Sequence, residues 1–129
     1  MDVKKTGFIS KQYEVFTHNG VRGTGLNAVD FSQRMESMGA GEILINNIDR
    51  DGTFSGYDME LVGQVRKAVN VPITALGGAG SHEDIGKLFD NFGLIGASAG
   101  SIFVFKGKYR AVLIQYPNEV EKDQLVHQM

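Results

Sequence analysis

Residues Ile45 to Asp58 read INNIDRDGTFSGYD. An apolar run ends there, three charges crowd together at Asp49, Arg50 and Asp51, and glycines turn the chain before a second apolar pattern begins. The cluster has two readings. It is a solvated loop with Asp51-Gly52 as a turn, or it stands at the C-terminal end of a buried strand, where one carboxylate would point into a functional mouth.

Working outward, the 17 glycines punctuate the chain. Gly39 and Gly41 precede Ile43-Leu44-Ile45, Gly77, Gly78 and Gly80 follow Pro72-Ile73-Thr74-Ala75-Leu76, and Gly93 precedes Leu94-Ile95-Gly96-Ala97-Ser98-Ala99. These runs lack period-two alternation, which predicts strands covered on both faces, as in a parallel sheet. Helical patterns lie between them. Met59, Leu61, Val62, Val65, Ala68 and Val69 form one apolar stripe that ends before Val71-Pro72. Ile85, Leu88, Phe89 and Phe92 form another after Ser81, a cap with Asp84 three residues on in a variant capping box. Ala28, Phe31, Met35 and Met38 share a face behind the cap Asn27, and a last helix is predicted from about Lys108 to Tyr116, stopping at Pro117. Strand and helix alternate three times at spacings that fit βα units. Residues 1–117 are expected to form this α/β unit, and 118–129, with mixed charge and little periodicity, a flexible tail.

Alternation of this kind fits an open doubly wound sheet or a (β/α)8 barrel, and the glycines lean toward the barrel. Barrels build function from the loops after their strands, with a phosphate site commonly after the last two. Those loops would be Gly77-Gly78-Ala79-Gly80-Ser81 and Gly100-Ser101, whose small residues let backbone N–H groups approach an oxyanion. The bland reading is a glycine turn that joins strand to helix, since GGAGS matches no Walker or dinucleotide pattern.

Composition narrows the classes. The chain has 129 residues, 42% hydrophobic, with a formal charge of −2, enough for one domain with a modest core. Its densest basic cluster, Lys106 to Arg110, is short and reads as a solvated helix start, so no nucleic acid is expected. Apolar runs fall short of the roughly 18 residues of a membrane span, and no secretory signal precedes the fold, which predicts a cytoplasmic protein. With no cysteine there are no disulfides or thiolate metal sites. His18, His82 and His127 are dispersed without ligand spacing and read as surface or cap residues, so no metal or other cofactor is implied. Ser98 and Ser101 lack a His-Asp arrangement, and Phe103 and Phe105 read as core packing.

The segments Gly39 to Ile45, Ile48-Asp49-Arg50-Asp51-Gly52-Thr53, Gly56-Tyr57-Asp58 and Gly77-Gly78-Ala79-Gly80 together resemble the HisF family, the cyclase subunits of imidazole glycerol phosphate synthase. The resemblance runs from Asp2 to about Phe105. Met1 to Lys5 fits the end of the family's fifth strand, and Glu14 to Gly20 the small hairpin after it. It implies a (β/α)8 barrel that accepts ammonia from a glutaminase partner of the HisH type. Such a barrel cleaves and cyclises a ribulosyl-aminoimidazole nucleotide to imidazole glycerol phosphate in histidine biosynthesis. Position by position, Asp51 resembles the sixth-strand catalytic aspartate and Asp2 the assisting fifth-strand one, carboxylates suited to the proton transfers of ring closure. Gly52, Gly77, Gly78, Gly100 and Ser101 would hold a substrate phosphate, Asn46 would face the cavity, and Glu42 would stand at the charged ammonia gate at the far end of the strand. The alternative for Glu42 is a surface salt bridge.

Two departures matter. A barrel of this type takes about 250 residues, and this chain corresponds to its C-terminal half, βα units 5 to 8. A half-barrel would expose strand edges and an apolar sheet face. It is expected to pair with a second copy or an N-terminal half, or to cover its own edge, and to be catalytically silent alone. Second, Ala99 to Asn118 and the longer loop from Thr6 to Gln12 resemble a HisF-like branch linked to amidation of surface-polysaccharide sugars. Two classes stay open: a cyclase half active only when completed, and a non-catalytic phosphate-binding or assembly fragment that keeps the site.

Overall fold

A computed structural model describes residues 1–9, 11–107 and 109–126. The chain opens with an antiparallel meander of β1 (Asp2–Thr6), β2 (Gln12–Thr17) and β3 (Arg22–Asn27), and α1 (Ala28–Ser37) follows. Then come β4 (Ile43–Asn47), α2 (Met59–Ala68), β5 (Ile73–Leu76), α3 (His82–Phe92) and the two-residue β6 (Gly96–Ala97). The end of the chain forms α4 (Ser101–Val104), a small hairpin of β7 (Phe105–Lys106) and β8 (Ala111–Val112), and α5 (Glu119–Val126). The main sheet runs β3-β2-β1-β4-β5-β6; β1, β4, β5 and β6 are parallel neighbours, and β2 and β3 add antiparallel strands at one edge. This is an α/β fold with a mostly parallel six-stranded sheet.

Val3, Ile43, Ile45, Ile73 and Ala75 point to one face and pack against Ala28, Leu61, Val62, Val65, Ile85 and Leu88 of the helices. Each Val, Leu or Ile side chain among them taken from water contributes about 1.5–3 kcal/mol, and Ile45→Ala at the centre would cost roughly 2–5 kcal/mol. The helices start as their sequences dictate. Asn27 Oδ1 accepts from the N–H groups of Val29 (2.8 Å) and Asp30 (3.3 Å) to cap α1, and Pro72 follows shortly after α2 ends. In α1 the stripe shifts: Ser32 is buried, its hydroxyl donating to the Ala28 carbonyl at 2.7 Å, whereas Met38 is 71% exposed beyond the last turn.

The strands are not covered on both faces. Along β4, Ile43, Ile45 and Asn47 are buried while Leu44 is 42% exposed and Asn46 half-buried, and β5 alternates in the same way. The helices pack on one face only, so the opposite face of each strand has no layer to meet. The helix expected from Lys108 to Tyr116 does not form either. Lys108 lies outside the described residues, but Gly107 (φ 73°) and Arg110 (φ 49°) take left-handed conformations that turn β7 into β8. Val112, Leu113 and Ile114 beyond the turn are exposed, so no surface rewards a helical stripe there. Of the expected tail, Glu119–Val126 is helical, with Asn118 Oδ1 accepting from the Glu121 N–H at 3.0 Å. No described helix is long and apolar enough to cross a membrane.

Candidate functional site

The C-terminal ends of β1, β4, β5 and β6 carry four loops, and three of them are bound into one body. After β4 the chain folds back on itself: the N–H groups of Arg50 and Asp51 both donate to the Asn47 carbonyl, at 3.2 and 3.0 Å. The guanidinium of Arg50 then reaches across the loop to the carbonyls of Ser55 (3.3 Å), Gly56 (3.2 Å) and Tyr57 (3.5 Å). Gly56 N–H donates to the Gly78 carbonyl at 2.7 Å, joining this loop to the one after β5, and the Tyr57 hydroxyl donates to the Ser98 carbonyl at 2.9 Å, joining it to the one after β6. Burial, and secondarily the nearby Asp84 carboxylate, push the Tyr57 phenol up to about 12.

Close approach at these junctions demands glycine. A Cβ on Gly78 (φ 105°) would lie 2.2 Å from the Gly56 carbonyl oxygen, and one on Gly77 (φ 93°) 2.5 Å from that of Asn47. Between the three loops lies a small depression lined by Asp51, Gly52, Leu76, Gly77, Gly78, Ala79, Ala99, Gly100 and Ser101. Six residues singled out from sequence therefore meet in one place: Asp51 with Gly52, Gly77, Gly78, Gly100 and Ser101. The Asp51 side chain is exposed, as is Gly100.

Asp2 and Asn46 form a second group. They are register partners across β1 and β4, on the uncovered sheet face, and Asn46 Nδ2 donates to Asp2 Oδ1 at 3.0 Å. Asn46 Oδ1 is buried without a hydrogen-bond partner, and it fits only because Gly77 beside it has no Cβ: one would lie 2.9 Å away. Neither residue lines the depression. Glu42 lies at the opposite end of β4, where Thr74 Oγ1 donates to its carboxylate at 2.6 Å; the expected alternative of a surface salt bridge is not among the described ion pairs. The Ser81 and Asp84 pair closes differently from a capping box. Ser81 makes no side-chain cap bond to the helix backbone, and Asp84 Oδ2 accepts from Gly80 N–H at 3.0 Å, one residue earlier. His18 lies exposed in the β2–β3 turn, and His82 opens α3 with its ring 6.5 Å from that of Phe103. His127 lies outside the described residues. Phe103 is half-buried and stacks on Tyr116 at 5.3 Å, outside the main core.

The sequence reading missed Asp58. It is 8% exposed and gathers four partners: Asn47 Nδ2 (2.7 Å), the Tyr13 hydroxyl (3.0 Å to each carboxylate oxygen), the Leu61 N–H (3.1 Å) and Arg50 Nε (3.8 Å). Burial, then the carboxylates of Asp58 and Glu60, hold the Tyr13 phenol well above its ordinary value. Asp58 is both the N-cap of α2 and the counter-charge of Arg50. A capping position ahead of the Met59 stripe was the available signal.

Residues 1–110 match the family described as histidine biosynthesis protein. The chain belongs to that family. Within it, the chain is 49% identical to a protein of Leptospira interrogans provisionally named as imidazole glycerol phosphate synthase subunit HisF, over 98% of this chain and 50% of that protein. It is 48% identical to a provisionally named subunit of the same type from Vibrio vulnificus, over 95% of this chain and 46% of that one. The HisF subunit of Thermobifida fusca is 50% identical over 72% of this chain and 36% of its own length. These relatives support the resemblance drawn from INNIDRDGTFSGYD, and this member of the histidine biosynthesis protein family is of the HisF type. The family implies a (β/α)8 barrel. The chain spans about half the length of the relatives it matches.

Proposed function

We propose that the chain is the C-terminal half of a HisF-type cyclase barrel, units 5 to 8. Completed by the other half, it would use ammonia from a HisH-type glutaminase to convert a ribulosyl-aminoimidazole phosphate nucleotide to imidazole glycerol phosphate. The observation that carries this reading is the depression shared by Asp51, Gly52, Gly77, Gly78, Gly100 and Ser101. Three joined loops bring four glycines, Ser101 and one exposed carboxylate to a single point, small residues that suit a phosphate with a proton-transferring acid beside it. Asp2, held by Asn46, assists from the sheet face, and Glu42 serves as gate at the far end of β4. The isolated half binds phosphate without turning substrate over.

The test is reconstitution. The chain is combined with the N-terminal half of a full-length relative, and nucleotide turnover is followed with an ammonium salt as nitrogen source. Activity that appears only in the mixture and disappears with Asp51→Asn supports the proposal. Activity of a verified monomer alone, or a reconstituted barrel that neither binds the nucleotide nor turns it over, overturns it. Binding without turnover favours a non-catalytic phosphate-binding or assembly fragment.

A second reading, service to a polysaccharide-sugar amidation, draws on the end of the chain. The Leptospira interrogans and Vibrio vulnificus relatives match 98% and 95% of the chain, whereas the Thermobifida fusca subunit matches 72%. A reconstituted barrel that leaves the imidazole nucleotide untouched but passes ammonia to a sugar amidotransferase would favour it.

A further inference from the structure

The loop after β4 carries Asp51 and Gly52 to the depression, and its Gly52–Thr53 peptide is held at both of its polar groups. The Thr53 N–H donates to the Arg50 carbonyl at 3.0 Å within the loop, and the Gly52 carbonyl accepts from Arg110 Nη2 at 2.8 Å. A peptide unit is planar, so bonds at its two opposite groups fix its orientation. Arg110 reaches it from the turn between β7 and β8, 58 residues further along the chain.

Arg110 is itself braced. Its guanidinium lies 4.7 Å over the Phe54 ring, two residues past Gly52 in the same loop. Its own N–H donates to the Gly107 carbonyl at 3.0 Å, closing the turn, and beyond it Leu113 N–H donates to the Val104 carbonyl at 2.9 Å. Phe54 (φ 58°) and Arg110 (φ 49°) are two of the four described non-glycine residues with a left-handed backbone, and they stack on each other. Such conformations persist where the surroundings over-determine them, and they gather at functional sites. Phe54 also meets the loop after β5, where a Cβ on Gly80 would lie 2.5 Å from its carbonyl oxygen.

Packing does not hold Gly52. A notional Cβ on it meets no atom within 4 Å, so its orientation depends on these hydrogen bonds. Among the described residues its own N–H donates to no partner.

We infer that Arg110 is a positioning residue for the anion site, locking the Gly52–Thr53 peptide so that the Gly52 N–H and the Asp51 carboxylate stand ready at the depression before a ligand arrives. This rests on the phosphate reading of the depression and adds to it a residue from the C-terminal hairpin. Arg110 acts through Gly52 rather than on the phosphate itself. Its bond to the carbonyl is charge-assisted, and a loop ordered beforehand lowers the cost of binding.

Calorimetric titration with inorganic phosphate at constant ionic strength compares the purified chain with Arg110→Gln, Arg110→Lys and Phe54→Leu. Arg110 is exposed and lies outside the main core, so its variants should fold, which thermal unfolding checks. Loss of the hydrogen bond in Arg110→Gln should weaken phosphate by about fivefold or more. Arg110→Lys, which keeps a cationic donor, should recover most of that loss. Phe54→Leu, which changes no charge, should weaken phosphate in the same direction. Amide exchange at Thr53, followed without phosphate, should quicken in Arg110→Gln. A direct charge contact would leave the affinity of Phe54→Leu and the Thr53 exchange unchanged, and a mere brace for the hairpin would lower the unfolding temperature with affinity intact. Either outcome overturns the inference and leaves the phosphate reading standing. Absence of phosphate binding by the unsubstituted chain overturns both.

Discussion

The Asn47 carboxamide donates to the buried Asp58 carboxylate at 2.7 Å while its oxygen accepts from the Arg50 N–H at 3.2 Å. One side chain thus joins the cap of α2 to the first turn of the loop that carries Asp51. Removing Asp58 takes away an N-cap, worth about 1 kcal/mol, and leaves the buried Asn47 amide without its acceptor at roughly 1–3 kcal/mol, while the Tyr13 hydroxyl keeps Glu60 as a partner at 3.1 Å. Asp58→Ala is therefore expected to lower stability by about 2–4 kcal/mol in urea unfolding. A change below about 1 kcal/mol would show that the network is dispensable.

Asp51 contrasts with Asp58 seven residues on. It is exposed, and its backbone N–H already satisfies the turn. Asp51→Asn is expected to change stability by no more than about 0.5 kcal/mol. In the completed barrel it should lower kcat by roughly a hundredfold or more, the usual contribution of a general acid or base. Unfolding curves and turnover on the same preparation separate the two effects.

Glycines of similar φ should differ sharply in tolerance. Gly52 (φ 71°) has no atom within 4 Å of a notional Cβ, so Gly52→Ala is expected to cost only the left-handed conformation, about 1–2 kcal/mol. Gly78→Ala adds a collision with the Gly56 carbonyl and should cost at least about 3 kcal/mol. Thermal unfolding of the two variants side by side checks the order.

Alkaline pH should loosen the site before the rest of the fold. Tyr13 and Tyr57 are both raised in the folded chain above the ordinary value of about 10. A raised tyrosine gives stability that is complete below the unfolded value and is lost as pH climbs to the folded one, so the Tyr57 contribution falls away between about 10 and about 12. Phenolate absorbance should show late-titrating tyrosines among the four, and Tyr57→Phe should remove part of that late component.

The uncovered sheet face should associate. Leu44 is 42% exposed on it, with Asn46 and Leu76 half-buried beside it. Sedimentation is expected to give a dimer, or a one-to-one complex with an N-terminal half, and Leu44→Lys should shift the equilibrium to monomer. A monomer at every concentration would mean that the face needs no cover.

The sequence by itself determined the strand and helix order from β4 through α3, the Asn27 cap and the six residues around the depression. Those depend on local signals: glycines at the required turns, a period of 3.6 and strand-end chemistry. Tertiary structure decided the rest. Whether a strand is covered on both faces depends on which layers are present, and a run such as Ile43-Leu44-Ile45 looks the same with one face bare. In place of the helix expected from Lys108 to Tyr116, Ala111–Val112 pairs with Phe105–Lys106 in a hairpin, because the exposed Val112, Leu113 and Ile114 found no surface to pack on. Asp58 and Arg50 became a pair because the loop returns across its own start, and that return is set by the Gly56–Gly78 contact between loops more than twenty residues apart.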